Sequence, residues 1–373
     1  MKILMVTMGL DIGGAETHIV ELSRALSGMG HEITVASAGG IYVKELEECG
    51  VRHVTLPLNT KKPGAIMESY RGLSALIGDG GFDIVHGHAR IPNFILSRIR
   101  RKIPFRHVTT AHLDFKVNPL YRLITDWGER TLAVSEDIRD YLGREYGIPA
   151  DRVDITINGI DMKKFSPDID YSEVQTELGL DPSHRKLVYI SRIDHDRSAP
   201  AFHLCSITPR LVRDYPDIDV VIVGAGDDFE RLTEAAVETN RIAGRRALVL
   251  AGGRADINRF TAMADIFVAV SRSALEAMSA GVPTVISGNQ GYLGIFSPDK
   301  TEVARSTNFC CRGCPEATPE ALETDLRTLL ELSEEELREI GDYGRSVVRE
   351  HYSAAKMAQD YLDCYARLDP PVG

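Results

Sequence analysis

KILMVTMGLDIGGAETHIVELSRALSGMGHEITVAS, residues 2–37, carries three signals in succession. Lys2–Met8 is an apolar run without polar alternation, the pattern of a strand covered on both faces. Ala15–Ser27 sets Ile19, Leu22 and Leu26 at 3–4 spacing, one face of a helix. His31–Ser37 is apolar and β-branched again, a second strand. Strand, helix, strand at this spacing predicts a crossover unit and therefore a parallel sheet.

The alternation continues outward from this stretch. Val51–Leu58, Phe82–His88, Arg106–His112, Thr131–Ser135 and Asp154–Ile160 read as further strands with helical stretches between most of them. Around Ser166–His184 the pattern lapses into a polar segment with two prolines, read as a linker over 167–184. It restarts with Lys186–Arg192, Asp219–Gly226, Ala247–Gly252, Ile266–Ser271 and Pro283–Ser287, a second doubly wound unit over 185–350 after a first over 1–166. Ser333–Glu350 and Ser353–Leu368 are helical, the latter with Met357, Tyr361, Cys364 and Leu368 on one face. The expected architecture is α/β, two Rossmann-like doubly wound parallel-sheet domains facing across a cleft, with ligands at the carboxyl ends of the strands.

Composition narrows the function. The 373 residues, enough for two domains, are 43% apolar and carry a net charge of −11. Residues 1–170 hold a net of −1 and the remainder −10, so a nucleic-acid partner is not expected. No run approaches 18 apolar residues, and the start reads as strand and turn, not as a signal peptide. Six scattered cysteines fit a reducing cytoplasm.

Several turns could hold chemistry. Gly13 and Gly14 at the entry to the first helix let a backbone approach an anion, or form a plain strand–helix turn. Gly224-Ala225-Gly226 lacks the third glycine of a dinucleotide fingerprint, Phe229 standing in its place, so no nicotinamide cofactor is indicated. Arg192 and Arg197 flank a turn after a strand and could grip a diphosphate; a solvated role fits either one alone equally well. Asp194-His195-Asp196 resembles a metal-binding pair of aspartates, but from 28 aspartates about two such spacings arise by chance and three occur. Cys310, Cys311 and Cys314 lack an evident fourth ligand for zinc and read as a structured loop, so no metal site is expected. Ser97–His107 concentrates Arg98, Arg100, Arg101, Lys102 and Arg106, a segment suited to anionic headgroups at the inner face of a membrane or, more simply, a solvated helix end.

Gly13-Gly14-Ala15-Glu16 with Gly30–Val35, then FDIVHGH (82–88), TTAH ending at His112, LAVSEDIRDYL (132–142) and INGIDMKKFSP (157–167) resemble, in order, the acceptor-domain motifs of family 4 glycosyltransferases. Arg192…Arg197, VGAGDDFERL (223–232) and LEAMSAGVPTV (275–285) resemble that family's donor domain, so the likeness spans nearly the whole chain. It implies the GT-B fold, a UDP- or GDP-sugar donor, a glycan or lipid-linked acceptor, retention of anomeric configuration and no bound metal or other cofactor. It also implies that a last helix, here within 351–373, crosses back onto the first domain. Carried over by motif, Gly13 and Gly14 would approach the donor diphosphate, Arg192 and Arg197 would hold it, and Glu276 would bond the ribose. Gly226, Arg254, Ser271, Arg272 and Ser273 would line the donor side, and His112 would sit near the reacting centre.

The chain departs from the family pattern at three positions. Ser191 stands where glycine is usual and Arg197 where lysine is. Val268 occupies the spacing of a glutamate that in the family contacts the donor sugar, with Asn289 or Gln290 as candidates for part of its role. The expected function is sugar transfer in envelope or exopolysaccharide synthesis. The alternatives are a catalytically silent sugar-nucleotide-binding protein and a GT-B epimerase or hydrolase.

Overall fold

A computed structural model describes residues 1–115 and 117–368. The chain divides into two compact units, one of Met1–Gly159 joined by the stretch from Ala354 onward, the other Ile160–Ser353. The first holds a seven-stranded parallel sheet built from β1 (Lys2–Val6), β2 (Glu32–Ser37), β3 (Arg52–Thr55), β4 (Ile84–Gly87), β5 (His107–Ala111), β6 (Arg130–Ala133) and β7 (Val153–Ile155), in the order β3-β2-β1-β4-β5-β6-β7. The second holds β8 (Arg185–Ile190), β9 (Ile218–Val223), β10 (Leu248–Gly252), β11 (Ile266–Ala269), β12 (Thr284–Gly288) and β13 (Gly291–Ile295), in the order β10-β9-β8-β11-β12-β13.

The continuous apolar run of β1 follows from its position. Ile3 and Met5 face one layer with Ile19, Leu22 and Leu26 of the first helix (Gly14–Gly28), while Leu4 and Val6 face the other with Leu73, Ile95 and Leu96. Both faces are covered, so no polar alternation survives. The last helix, Ala354–Ala366, completes the first of these layers: Met357, Tyr361, Cys364 and Tyr365 are buried there, with Leu368 just beyond its end. Its fully buried tyrosines and aliphatics each contribute on the order of 1.5–3 kcal/mol.

Two expectations need correction. The segment 167–184 is not a bare linker: it contains a helix, Ser172–Glu177, anchored by fully buried Val174 and by ion pairs from Glu173 to Arg259 and Glu177 to Arg254. Its polarity reflects a short surface helix with a single apolar anchor, and the chain passes between units at 159/160 instead. β13 was not expected. It runs antiparallel to β12 through a tight connection over Asn289-Gln290, and its glycines at 291 and 294 hide the strand pattern.

Candidate active site

In a doubly wound sheet the crevice opens where strand order reverses, because successive connections leave there on opposite faces. In the first unit that point lies between β1 and β4, in the second between β8 and β11. Gly13 and Gly14 follow β1, His88 follows β4, and His112 follows β5 one strand further on. Arg192 and Arg197 follow β8, while Ser271, Arg272, Ser273 and Glu276 lie on the helix Ser271–Ser279 directly after β11. Topology thus brings most of the candidates of each unit to its reversal point.

Arg254 is the exception. It follows the edge strand β10, where its guanidinium meets Glu177 at 2.6 and 3.0 Å and Asp256 at 2.9 Å. Hydrogen bonds from these carboxylates, Asp256 first, raise its pKa, and its charge serves to tie two short helices together. Gly226 also has a local reason. A Cβ there would lie 2.3 Å from the Ile193 carbonyl oxygen, so the missing side chain lets the β9 loop pack on the β8 loop. At Gly14 a Cβ would meet nothing within 4 Å, which leaves that backbone open to an approaching group.

Arg192 Nε lies 3.2 Å and Arg197 Nη1 3.5 Å from the same oxygen, Oδ2 of Asp194. The arginine side chains are 58% and 45% exposed, so each pairing is weak, of the order of 0–1 kcal/mol. One carboxylate therefore aligns two guanidiniums without consuming their capacity; most of their five donors each remain for an incoming anion. Within the Asp-x-Asp, the central histidine is engaged elsewhere. His195 Nδ1 is 3.1 Å from Asp228 Oδ1, and Ser198 Oγ donates to Asp228 Oδ2 at 2.6 Å. That hydroxyl bond leads the causes holding the Asp228 carboxyl below its ordinary range, with Arg231 and His195 adding to it. Among the described residues no group of three or more His, Cys, Asp or Glu is arranged to hold a metal ion.

The helix after β11 starts under strain. Ser271 has φ +52°, and its N–H donates to the Phe309 carbonyl at 2.8 Å; Asn308, Phe309 and Cys311 are themselves left-handed. Arg272 Nε donates to Glu276 Oε1 at 2.8 Å, and both side chains are buried. Val268 is fully buried in β11, so no group at that position reaches a ligand. Asn289 and Gln290 are exposed at the β12–β13 connection, and Gln290 Oε1 accepts from Arg312 Nη1 at 3.1 Å.

In the first unit the structure assembles what the sequence reading saw only in part. His86 and His88, two apart on β4 and its end, stack at 4.3 Å between centroids. His88 Nδ1 is 3.3 Å from His112 Nε2, and His18 meets the edge of His112 at 4.9 Å. Behind them runs a chain of hydrogen bonds whose direction follows once His18 is taken as a neutral imidazole. Asn158 Oδ1 is an acceptor, so His18 Nδ1 donates to it at 3.2 Å and His18 Nε2 accepts from the Tyr361 hydroxyl at 2.8 Å. The Tyr361 oxygen then accepts from Thr110 at 2.9 Å, and Thr110 accepts from His86 Nε2 at 2.9 Å. His86 Nδ1 finally accepts from the Tyr365 hydroxyl at 2.7 Å. Burial, reinforced by neighbouring imidazoles, holds His86 and His88 well below the ordinary histidine range, and burial brings His112 down to about 4. His18, His86 and Tyr361 were not singled out as site residues; the signal was the i, i+2 pair His86/His88 and the i, i+4 pair Tyr361/Tyr365.

Comparison with known proteins bears on the family and the fold. A family model described as Glycosyltransferase Family 4 matches residues 12–164, and one described as Glycosyl transferases group 1 matches 184–331. The chain is 27% identical over 313 residues to a phosphatidyl-myo-inositol mannosyltransferase of Mycolicibacterium smegmatis, covering 76% of this chain and 75% of that one. It is 27% identical over 242 residues to a D-inositol 3-phosphate glycosyltransferase of Frankia alni, covering 55% and 57%. Among solved structures, a glycosyltransferase from Rickettsia africae superposes with TM-score 0.76 at 18% identity, covering 98% of this chain and 97% of that one. HepE of Anabaena in complex with UDP and glucose gives TM-score 0.76 at 15% identity, covering 99% and 100%.

Proposed function

Because the chain belongs to the family 4 glycosyltransferases and has their GT-B fold, we propose that it transfers a sugar from a UDP- or GDP-sugar to a glycan or lipid-linked acceptor, with retention and without a metal ion. The observation that carries the donor assignment is the pair Arg192 and Arg197 held on one Asp194 oxygen beside the β8/β11 reversal. Breaking the anomeric bond develops positive charge on the sugar and negative charge on the departing nucleoside diphosphate. Guanidiniums already aligned toward that leaving group stabilise it most when its charge is greatest, which is electrostatic catalysis. Glu276, fixed by Arg272, is assigned to the ribose hydroxyls, and His112 to the neighbourhood of the reacting carbon. A lipid-linked acceptor is supported by the relative named for phosphatidyl-myo-inositol, and it would place the enzyme in the cytoplasm at the inner face of a membrane.

Calorimetry with UDP and GDP tests the proposal. One of them is expected to bind saturably, and absence of heat with both overturns it. Glu276→Gln is expected to raise the donor KM about tenfold with little change in kcat, since a ribose contact is alike in ground and transition states. Steady-state kinetics decide; a fall in kcat at constant KM removes Glu276 from that role. One observation favours a second reading, a silent sugar-nucleotide-binding protein: buried Val268 leaves no carboxylate at the donor-sugar spacing. Nucleotide binding without turnover of any donor would select it.

A further inference from the structure

We propose that the first unit carries a second, separate anion site that takes an organic phosphate. A cavity of about 610 Å³ opens among residues that precede β5, β6 and β7, the amino ends of these strands, whereas His112 and Gly14 follow strands at the carboxyl ends. The volume falls within the roughly 300–1,000 Å³ of small-molecule sites. Arg98, Arg100 and Arg101 line it from the end of the helix Arg90–Ile99, and Arg152 joins them from 51 residues further along the chain. Trp127 and Ile124 supply apolar lining.

Two of the four guanidiniums are fixed by the protein. Arg100 Nη2 pairs with Glu129 at 2.6 Å, and Arg152 donates to the carbonyls of Gly128 at 2.6 Å and Glu129 at 3.1 Å. The other two are not consumed. Arg98 lies over the Phe94 ring at 4.5 Å with only the Ser97 hydroxyl as a hydrogen-bond partner, and Arg101 is exposed; neither has a carboxylate or carbonyl partner among the described residues. Asp126, the one acid lining the cavity, is engaged locally by the Gly128 N–H at 2.8 Å. The buried Trp127 indole Nε1–H has no acceptor among the described residues. Guanidiniums above an apolar floor suit a phosphate ester with a carbon-rich partner group. Lys102 and Arg106, from the same basic segment, do not line the cavity.

Trp127 is the chain's single tryptophan, so its emission reports on this site. Titration of the full chain with glycerol 3-phosphate is expected to give a saturable change that sodium chloride at matched ionic strength does not. Arg98→Ser with Arg101→Ser is expected to weaken the apparent affinity at least tenfold at an unchanged melting temperature, whereas Lys102→Ser leaves it as it was. Arg192→Ala leaves the titration unaltered, which separates this site from the donor site. Competition by phosphatidylglycerol vesicles but not phosphatidylcholine ones identifies a lipid headgroup as the source; saturation by the soluble ester alone identifies a free phosphate. No saturable change and no calorimetric heat with any of these probes overturns the proposal, as does Lys102→Ser weakening binding as much as the double variant.

Discussion

Arg192→Ala is expected to lower kcat/KM for sugar transfer by two to three orders of magnitude, about 2.7–4 kcal/mol, the loss seen when a single donor to a developing oxyanion is removed. The side chain is more than half exposed and among the described residues pairs only with Asp194, so folding stability should stay within about 0.5 kcal/mol of the parent. Deletion also leaves Asp194 with one cation in place of two, turning part of its negative charge toward the incoming diphosphate. Arg192→Lys keeps the charge but not the fork, and should recover only part of the rate. Initial rates with labelled donor decide the matter. Activity within threefold of the parent means that the diphosphate lies elsewhere.

Acidification should unfold the first unit well before the second. His86 and His88 titrate far below 6.5 in the folded chain, and His107 and His112 near 4, all chiefly because they are buried. Above pH 6.5 both folded and unfolded chains leave these groups neutral, and nothing is lost. Below 6.5 the unfolded chain takes up protons that the native chain refuses, so stability falls with falling pH until each folded pKa is reached. Each such histidine contributes a slope of about 1.4 kcal/mol per pH unit, and four together approach about 5.5 per unit, against a total stability of roughly 5–15 kcal/mol. All four lie in the first unit. Urea denaturation at pH 7, 6 and 5 should therefore resolve into two transitions, the one from the first unit moving steeply. A midpoint for that unit that stays constant from pH 7 to 5 contradicts the neutral-histidine arrangement.

The sheets were legible because most of these parallel strands are buried and leave apolar runs: twelve of the thirteen, β1 through β12, overlap the stretches read as strands, although β3 and β7 are short and only partly apolar. β13 escaped because glycine and tyrosine in an edge hairpin carry neither alternation nor a hydrophobic run. The placement of Arg192 and Arg197 after a buried strand was legible as well, whereas their shared partner Asp194 emerges only in the structure. Arg254 fits the same pattern and misleads, because only tertiary structure shows that Glu177, 77 positions earlier, reaches its guanidinium. The histidine chain was the hardest to foresee. Its members come from β1's helix, β4, β5 and the last helix, and hydrogen-bond direction emerges only once Asn158, Tyr361 and Thr110 are neighbours. The basic segment 97–107 divided in a way that charge counting cannot show, three arginines entering the cavity while Lys102 and Arg106 stay outside.

Tyr361 and Tyr365 belong to the core of a unit whose remaining residues, outside the stretch from Ala354 onward, all come before position 160. On the ribosome, the amino-terminal portion therefore waits for nearly two hundred intervening residues to be made, roughly 10–40 s at about 5–20 residues per second. Throughout that delay the β1 layer lacks the cover of the final helix, and His18 and His86 lack their tyrosine partners, in view of any chaperone nearby. Nascent chains arrested before residue 354 should be held by such factors and released once the final helix emerges.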